Sequence, residues 1–228
     1  MSSDVKPLSD RTVLMTGAAG GLGSVAREVF AAAGATLVRE RPGDSDAAWN
    51  WFDATDPAAT KAAVDRAVAD YGRIDVLVNL AGTWMPQPAV ADMPDETLDK
   101  LMAVNFRSTF VMCRAVLPHL VSRKWGRIIN IGAKQGLRGT ARNSAYAASK
   151  AAVIALTESI AEEVSGKGVT ANVIIPSTID TPANRKAMPD ADFSKWVSPH
   201  ALAEVMVFLC TEAGGNINGA RIPVWNRS

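Results

Sequence analysis

Cysteine, histidine and tyrosine are scarce in this sequence, each appearing only twice among 228 residues. Cys113 and Cys210 lie far apart, each in an apolar helical context. That pattern suits two reduced, packed thiols and argues against a disulfide framework or a thiolate metal site. His119 and His200 are too few and too separated to build a metal cluster, so no metal is expected. An excess of charge of one sign is missing as well. The formal net charge is +1, which offers no basic surface to nucleic acid or to an anionic membrane. Apolar runs of the ~20 residues that a membrane span requires do not occur. Met1-Ser2-Ser3-Asp4-Val5-Lys6 holds no apolar signal core, so a cytoplasmic protein is expected. Internal repeats, low-complexity tracts and linkers are also lacking. At this length one domain over residues 1–228, with a sizeable core, is the expectation.

What is present is alternation. Residues 12–16, 36–38, 49–52, 74–80, 127–131, 169–175 and 220–225 are short apolar or β-branched runs and read as strands. Residues 22–33, 58–70, 97–122, 144–164 and 199–211 carry helical period, the third with a bend expected before Pro118. Alternation of this kind predicts an α/β fold: a doubly wound, Rossmann-type parallel sheet of about seven strands with helices on both faces. Ligands in such sheets sit beyond the carboxyl ends of the strands, so chemistry is sought in those loops.

The first such loop is Thr16-Gly17-Ala18-Ala19-Gly20-Gly21-Leu22-Gly23. Glycines let the backbone approach a pyrophosphate, and the helix start offers unpaired N–H groups to the anion. A glycine turn alone is often only a turn; between strand one and helix one it points to a dinucleotide. The end of strand two reads Val38-Arg39-Glu40-Arg41-Pro42. An acid there would hold a ribose 2′-hydroxyl, whereas Arg41 favours a 2′-phosphate. Glu40 stands one residue away, and Arg39 and Arg41 also fit a plain solvated edge. Asp53 is placed to accept from an adenine amino group, or else to shape the turn before the Asp56-Pro57 helix start. Tyr146 and Lys150 are four apart and share a helix face. An ammonium beside a phenol should draw it below its usual pKa of about 10, making Tyr146 a proton donor or acceptor.

With the glycine turn, Asn79-Leu80-Ala81-Gly82, Asn105 and Tyr146-x-x-x-Lys150 in that order, the chain resembles the short-chain dehydrogenase/reductase family over essentially its whole length. The resemblance implies hydride transfer with NAD(P)(H). Through it, Tyr146 is the catalytic acid/base, Lys150 holds the nicotinamide ribose, and Asn105 anchors a water in a proton relay. Gly17, Gly21, Leu22, Gly23, Asn79, Ala81, Gly82, Ile179 and Thr181 become cofactor contacts, the last two at the carboxamide. Leu80 stands in place of the usual second Asn, and Pro176-Ser177 in place of Pro-Gly. A larger departure is Ala133, thirteen residues before Tyr146, where the family has a Ser that hydrogen-bonds the substrate carbonyl. Losing one donor to developing negative charge costs about 3–4 kcal/mol.

One branch of the family, the dihydropteridine reductases, works without that Ser. Residues 178–196, Gly132-Ala133-Lys134 and Gly82-Thr83-Trp84 resemble it, while the first half of the chain and Asn105 resemble ordinary bacterial members. A planar quinonoid acceptor takes hydride without a localised oxyanion, so the missing donor is tolerable there. Trp84 and Trp196 are then expected to sandwich the substrate, beside Ala133 and Lys134, under a lid at about 181–198. A second reading is a ketone or alcohol dehydrogenase in which Thr140, Ser144 or a water replaces the Ser. A third is a dinucleotide-binding protein without turnover. Helices apolar on several faces, with Phe106, Phe110, Met112 and Val116 on one of them, lead us to expect a homodimer or homotetramer.

NADP(H) is expected over NAD(H). Titrations of both reduced cofactors should show the tighter Kd for NADPH, and Arg41→Asp should reduce that preference by about tenfold or more. An unchanged ratio would remove Arg41 from the cofactor site.

Overall fold

The computed structural model describes residues 6–39 and 52–226. Among them, six strands form one parallel sheet: β1 (Thr12–Thr16), β2 (Thr36–Leu37), β3 (Val76–Asn79), β4 (Gly126–Ile131), β5 (Val169–Pro176) and β6 (Arg221–Val224), in the order β2-β1-β3-β4-β5-β6. The helices are α1 (Gly21–Ala32), α2 (Pro57–Tyr71), α3 (Asp95–Leu101), α4 (Ser108–Ser122), α5 (Lys134–Leu137), α6 (Ser144–Glu163), α7 (Pro182–Ala187) and α8 (Pro199–Cys210). The expected doubly wound α/β architecture is present. Of the seven strands read from sequence, the one at 49–52 falls almost wholly outside the described residues, and so does Arg41.

The strands read as unbroken apolar runs because both of their faces are covered. Along β1, Val13 and Met15 pack with Phe30, Leu202 and Met206 from α1 and α8. Leu14 points the other way, to Val64, Met112, Val116 and Ala161 from α2, α4 and α6. In β3, Val76 and Val78 take the first side and Leu77 the second, the period of two that a strand imposes. Chain direction around the sheet reverses between β1 and β3, whose ends lie in register at Thr16 and Asn79. That reversal opens a crevice at the carboxyl edge of the sheet.

A ladder of buried amides ties α6 to the sheet. Asn79 Nδ2 donates to Asn130 Oδ1 at 2.9 Å, and Asn130 Nδ2 donates to Thr157 Oγ1 at 2.9 Å. Buried polar groups satisfied in this way fix one arrangement of the elements that carry them. Cys113, also beside Asn79, is buried and free, as is Cys210, and burial pushes both thiols up to about 12. No helix of the described residues is long and apolar enough to cross a membrane, and no group of three metal-ligating side chains occurs among them.

The helix expected over 97–122 departs from α geometry well before Pro118. Between α3 and α4 lies a π-helical segment, Met102–Arg107, that contains buried Asn105. Hydroxyls take up carbonyls in this stretch: Ser108 Oγ donates to Val104 O at 2.6 Å and Thr109 Oγ1 to Asn105 O at 3.1 Å. Such segments are frequent at functional sites.

Two glycines close the first loop. Gly17 has a φ of 65°, and a Cβ there would lie 2.7 Å from Ala81 N. A Cβ on Gly23 would lie 2.2 Å from Gly17 O. Ala is the better helix former by about 1 kcal/mol, yet Gly23→Ala should destabilise by about 2 kcal/mol or more because of this overlap. Gly72→Ala, at a left-handed position with nothing within 4 Å, should cost only about 1 kcal/mol. Thermal unfolding of the two variants checks the order; equal losses would contradict the close packing of the loop.

Candidate active site

The crevice holds a cavity of about 380 Å³. Gly17, Gly20, Gly21, Leu22 and Gly23 form one end of it, and Tyr146, Lys150, Ala133 and Trp84 the other. Helix α1 starts without a side-chain cap at Gly20. The N–H groups of Gly21, Leu22 and Gly23 make no hydrogen bond to the described residues, and all three residues line the cavity. Uncapped donors at a helix start, reached over a backbone that side chains would block, fit a pyrophosphate. Thr181 packs against Gly21, and its Oγ1 caps α7 by accepting from Asn184 N at 3.3 Å. Ile179 lines the cavity. Of the dinucleotide positions read from sequence, Gly17, Gly21, Leu22, Gly23, Gly82, Tyr146, Lys150 and Ile179 therefore line one crevice.

Three of those positions do other work. Asn79 is engaged in the amide ladder. Ala81 N donates to Thr16 Oγ1 at 3.2 Å, which holds the loop after β3 against β1. Asp53 Oδ1 accepts from Thr55 N and Thr55 Oγ1, both at 2.8 Å. These bonds hold its carboxyl below the usual range, the backbone bond most. Asp53 thus shapes the turn before α2, and it is not among the residues lining the cavity.

Tyr146 and Lys150 reach the same cavity from one face of α6, as their spacing predicts. Their electrostatics differ from expectation. Tyr146 and Lys150 share no hydrogen bond. Lys150 Nζ donates instead to Ile131 O at 2.9 Å, at the end of β4. Burial pushes the Tyr146 hydroxyl up to about 12 and the Lys150 ammonium down to about 8. In both cases desolvation disfavours the charged form. The shift of the phenol runs opposite to the expected lowering: in the protein alone, burial favours its protonated form.

Asn105 anchors the surroundings of that pair. Its Oδ1 accepts from Thr83 N at 2.7 Å, and its Nδ2 donates to Thr83 O and to Ser149 Oγ, each at 3.0 Å. Ser149 Oγ donates to Tyr146 O at 2.7 Å. One buried amide thus joins the loop after β3, the π-helical segment and the turn of α6 that carries Tyr146. A Cβ on Gly82 would meet both Asn105 Oδ1 and Lys150 Nζ at 3.3 Å, a tight fit to which those side chains would have to give way.

The substrate side is only partly as expected. Trp84 lines the cavity and Ala133 forms its floor, 3% exposed. Trp196 does not line it. Its indole packs on Phe193, with ring centres 4.7 Å apart, so it anchors the loop and the two-indole sandwich does not form. Lys134 is also outside, its Nζ 5.1 Å over the Trp225 ring. Thr140 and Ser144 are not among the lining residues either. From the segment expected as a lid, Asn184 and Met188 reach the cavity, while Arg185 is paired with Asp180 at 2.6 Å and 2.8 Å. Sequence reasoning missed Gln135 and Asn143. The signal for Asn143 was available, since it lies one helical turn before Tyr146.

Burial makes the Lys150 cation a stability defect. Below about pH 8 both folded and unfolded chains carry it, and the folded state bears the full penalty, on the order of 3 kcal/mol. Between about 8 and the unfolded value the unfolded chain binds the extra proton, so this group's contribution to stability rises with pH. Lys150→Met should therefore raise the melting temperature by about 2–8 °C at pH 7, after loss of the Ile131 bond, and by less at pH 10. A melting temperature lowered at pH 7 would contradict the burial penalty.

Comparison with known proteins agrees with this geometry. The family profile described as short chain dehydrogenase matches residues 11–192. The chain is 31% identical to a D-beta-hydroxybutyrate dehydrogenase of Cupriavidus necator over 96% of each chain. It is 31% identical to the 3-oxoacyl-(acyl-carrier-protein) reductase FabG of Thermotoga maritima, over 95% of this chain and 97% of that one. The crystal structure of a gluconate 5-dehydrogenase from Burkholderia cenocepacia, in complex with NADP and tartrate, superposes with a TM-score of 0.88 at 29% identity, covering 98% of this chain and 96% of that one. A dinucleotide crevice, a Tyr146/Lys150 pair opening into it, and similarity along the whole length lead to one assignment: the chain belongs to the short chain dehydrogenase family, as an NAD(P)-dependent oxidoreductase.

Proposed function

We propose that this protein reduces the carbonyl group of a small ketone, with NADPH favoured over NADH. The observation that carries this reading is that the half-buried phenol of Tyr146 and the ammonium of Lys150 open into one crevice with the glycine loop at the start of α1. When bound, the reduced cofactor supplies the hydride. The free N–H groups at the start of α1 hold its pyrophosphate, Arg41 favours its 2′-phosphate, and Ile179 and Thr181 meet its carboxamide. Lys150 binds the nicotinamide ribose. Tyr146 Oη gives its proton to the substrate oxygen as negative charge grows there. Asn105 anchors the water through which that proton is replaced. A hydroxyl held above its ordinary range keeps its proton at neutral pH, as a donor to the substrate oxygen requires.

The planar-acceptor reading loses the indole sandwich: with Trp196 packed in its own loop, Trp84 is the one of the two indoles that lines the cavity. The relatives support the ketone reading, since a hydroxybutyrate dehydrogenase and a 3-oxoacyl reductase are among them. Residues 181–198 act as the lid, through Asn184 and Met188. The half-exposed Phe110, 6.2 Å from Phe106, is the face through which copies of the chain assemble.

NADPH oxidation should be followed with ethyl acetoacetate, acetoacetate, 5-ketogluconate and quinonoid dihydropterin. At least one ketone should be reduced, and Tyr146→Phe should lower its kcat by about 100-fold or more. Equal rates for the two proteins on every compound would end the proposal.

A further inference from the structure

Asn143 stands at the N-cap position of α6 without a side-chain capping bond, and it lines the cavity that holds Tyr146 and Ala133. Its amide has only one possible orientation. An indole N–H can only donate, so Trp84 Nε1, 3.1 Å away, must face Asn143 Oδ1. Gln87 Nε2 reaches the same oxygen at 3.1 Å. Gln87 is itself locked, because its Oε1 accepts from Ala145 N at 2.9 Å and Tyr146 N at 3.3 Å, and backbone N–H groups only donate. Both lone pairs of Asn143 Oδ1 are therefore taken. Asn143 Nδ2 is left with two N–H donors and no partner among the described residues.

Other polar side chains around the cavity are engaged or unfixed. Lys150 Nζ is held by Ile131 O, Asn184 Nδ2 by Ile179 O at 2.8 Å, and Ser177 Oγ by Trp225 O at 3.3 Å. Gln135 lines the cavity, but no hydrogen bond fixes which end of its amide points inward. Among the lining side chains, Asn143 presents an amide donor whose direction the protein sets in advance, and preorganised donors are those that stabilise developing charge.

We propose that Asn143 Nδ2 donates a hydrogen bond to the oxygen of the reacting carbonyl, in the role left without a donor at Ala133. The inference rests on the carbonyl-reductase reading above. The carbonyl carbon gains hydride from the reduced nicotinamide, the carbonyl π pair moves to oxygen, and that oxygen takes the proton of Tyr146 Oη. Asn143 keeps its protons and lowers only the energy of the charge.

The test uses the full chain with NADPH and ethyl acetoacetate. Asn143→Ala should lower kcat by about 100-fold, while the NADPH Kd, read by fluorescence, stays within about twofold of wild type. Adding Ala133→Ser to that variant should restore about tenfold or more, since a hydroxyl returns a donor to the same oxygen. A role limited to bracing α6 gives no such rescue. A second readout needs no turnover: in the complex with NADP⁺, ethyl acetoacetate should shift the Asn143 side-chain amide NMR signal, assigned by its loss in Asn143→Asp. Wild-type kcat in Asn143→Ala, or a loss that Ala133→Ser leaves untouched, overturns the assignment. If wild type and Tyr146→Phe are equally inactive on every carbonyl, the reductase reading fails. The amide signal then decides Asn143 separately: a shift sustains it as a carbonyl contact, and an unmoved signal overturns it.

Discussion

Desolvation of two ionisable groups on one turn of α6 is the constraint on which this site depends. The phenol of Tyr146 and the ammonium of Lys150 are both pushed toward their neutral forms by the protein around them. For a proton donor that is an advantage, because a phenol that holds its proton has it to give. For a cation it is a cost, offset among the described residues by the Lys150 bond to Ile131 O. A site that stays this unfavourable without ligand is matched to one that brings hydroxyls and charge with it, and stability is commonly given up for activity in this way.

The fold around the pair is arranged to hold α6 still. The ladder from Asn79 through Asn130 to Thr157 ties the helix to the sheet, and Asn105 with Ser149 ties its first turns to the loop after β3. Gln87 caps the same turn from a third direction. Each connection is a buried amide whose oxygen and nitrogen both have partners, so displacing any one leaves unpaired polar atoms. The π-helical segment at Met102–Arg107 belongs to this scheme, since it is the stretch that carries Asn105 inward.

Much of this was legible in the chain. Strand runs that bury both faces are apolar without alternation, so β1, β3, β4 and β5 stood out. The glycine loop was legible because Gly17 and Gly23 sit where a Cβ would collide with backbone. The Tyr146/Lys150 spacing survives because an α-helix converts a sequence interval directly into a shared face. Less accessible was anything that depends on contacts between distant segments. Whether Lys150 would act on Tyr146 or on Ile131 O was not written in their spacing. Trp196 looked like a substrate wall because its loop was correctly placed, but its partner Phe193 lay within the same loop. The π-helical segment leaves no mark in a periodic pattern, and Pro118 drew attention away from it. Asn143 was passed over because its orientation comes from Trp84 and Gln87, both more than fifty residues upstream.

The most direct measurement is a difference titration of tyrosinate absorbance, wild type minus Tyr146→Phe, in the protein without ligand. Only Tyr71 and Tyr146 contribute in wild type, so the difference isolates one hydroxyl. The account predicts that it ionises near pH 12, above the usual value. A midpoint at or below about 10 would mean that the ammonium governs the phenol after all and that burial does not.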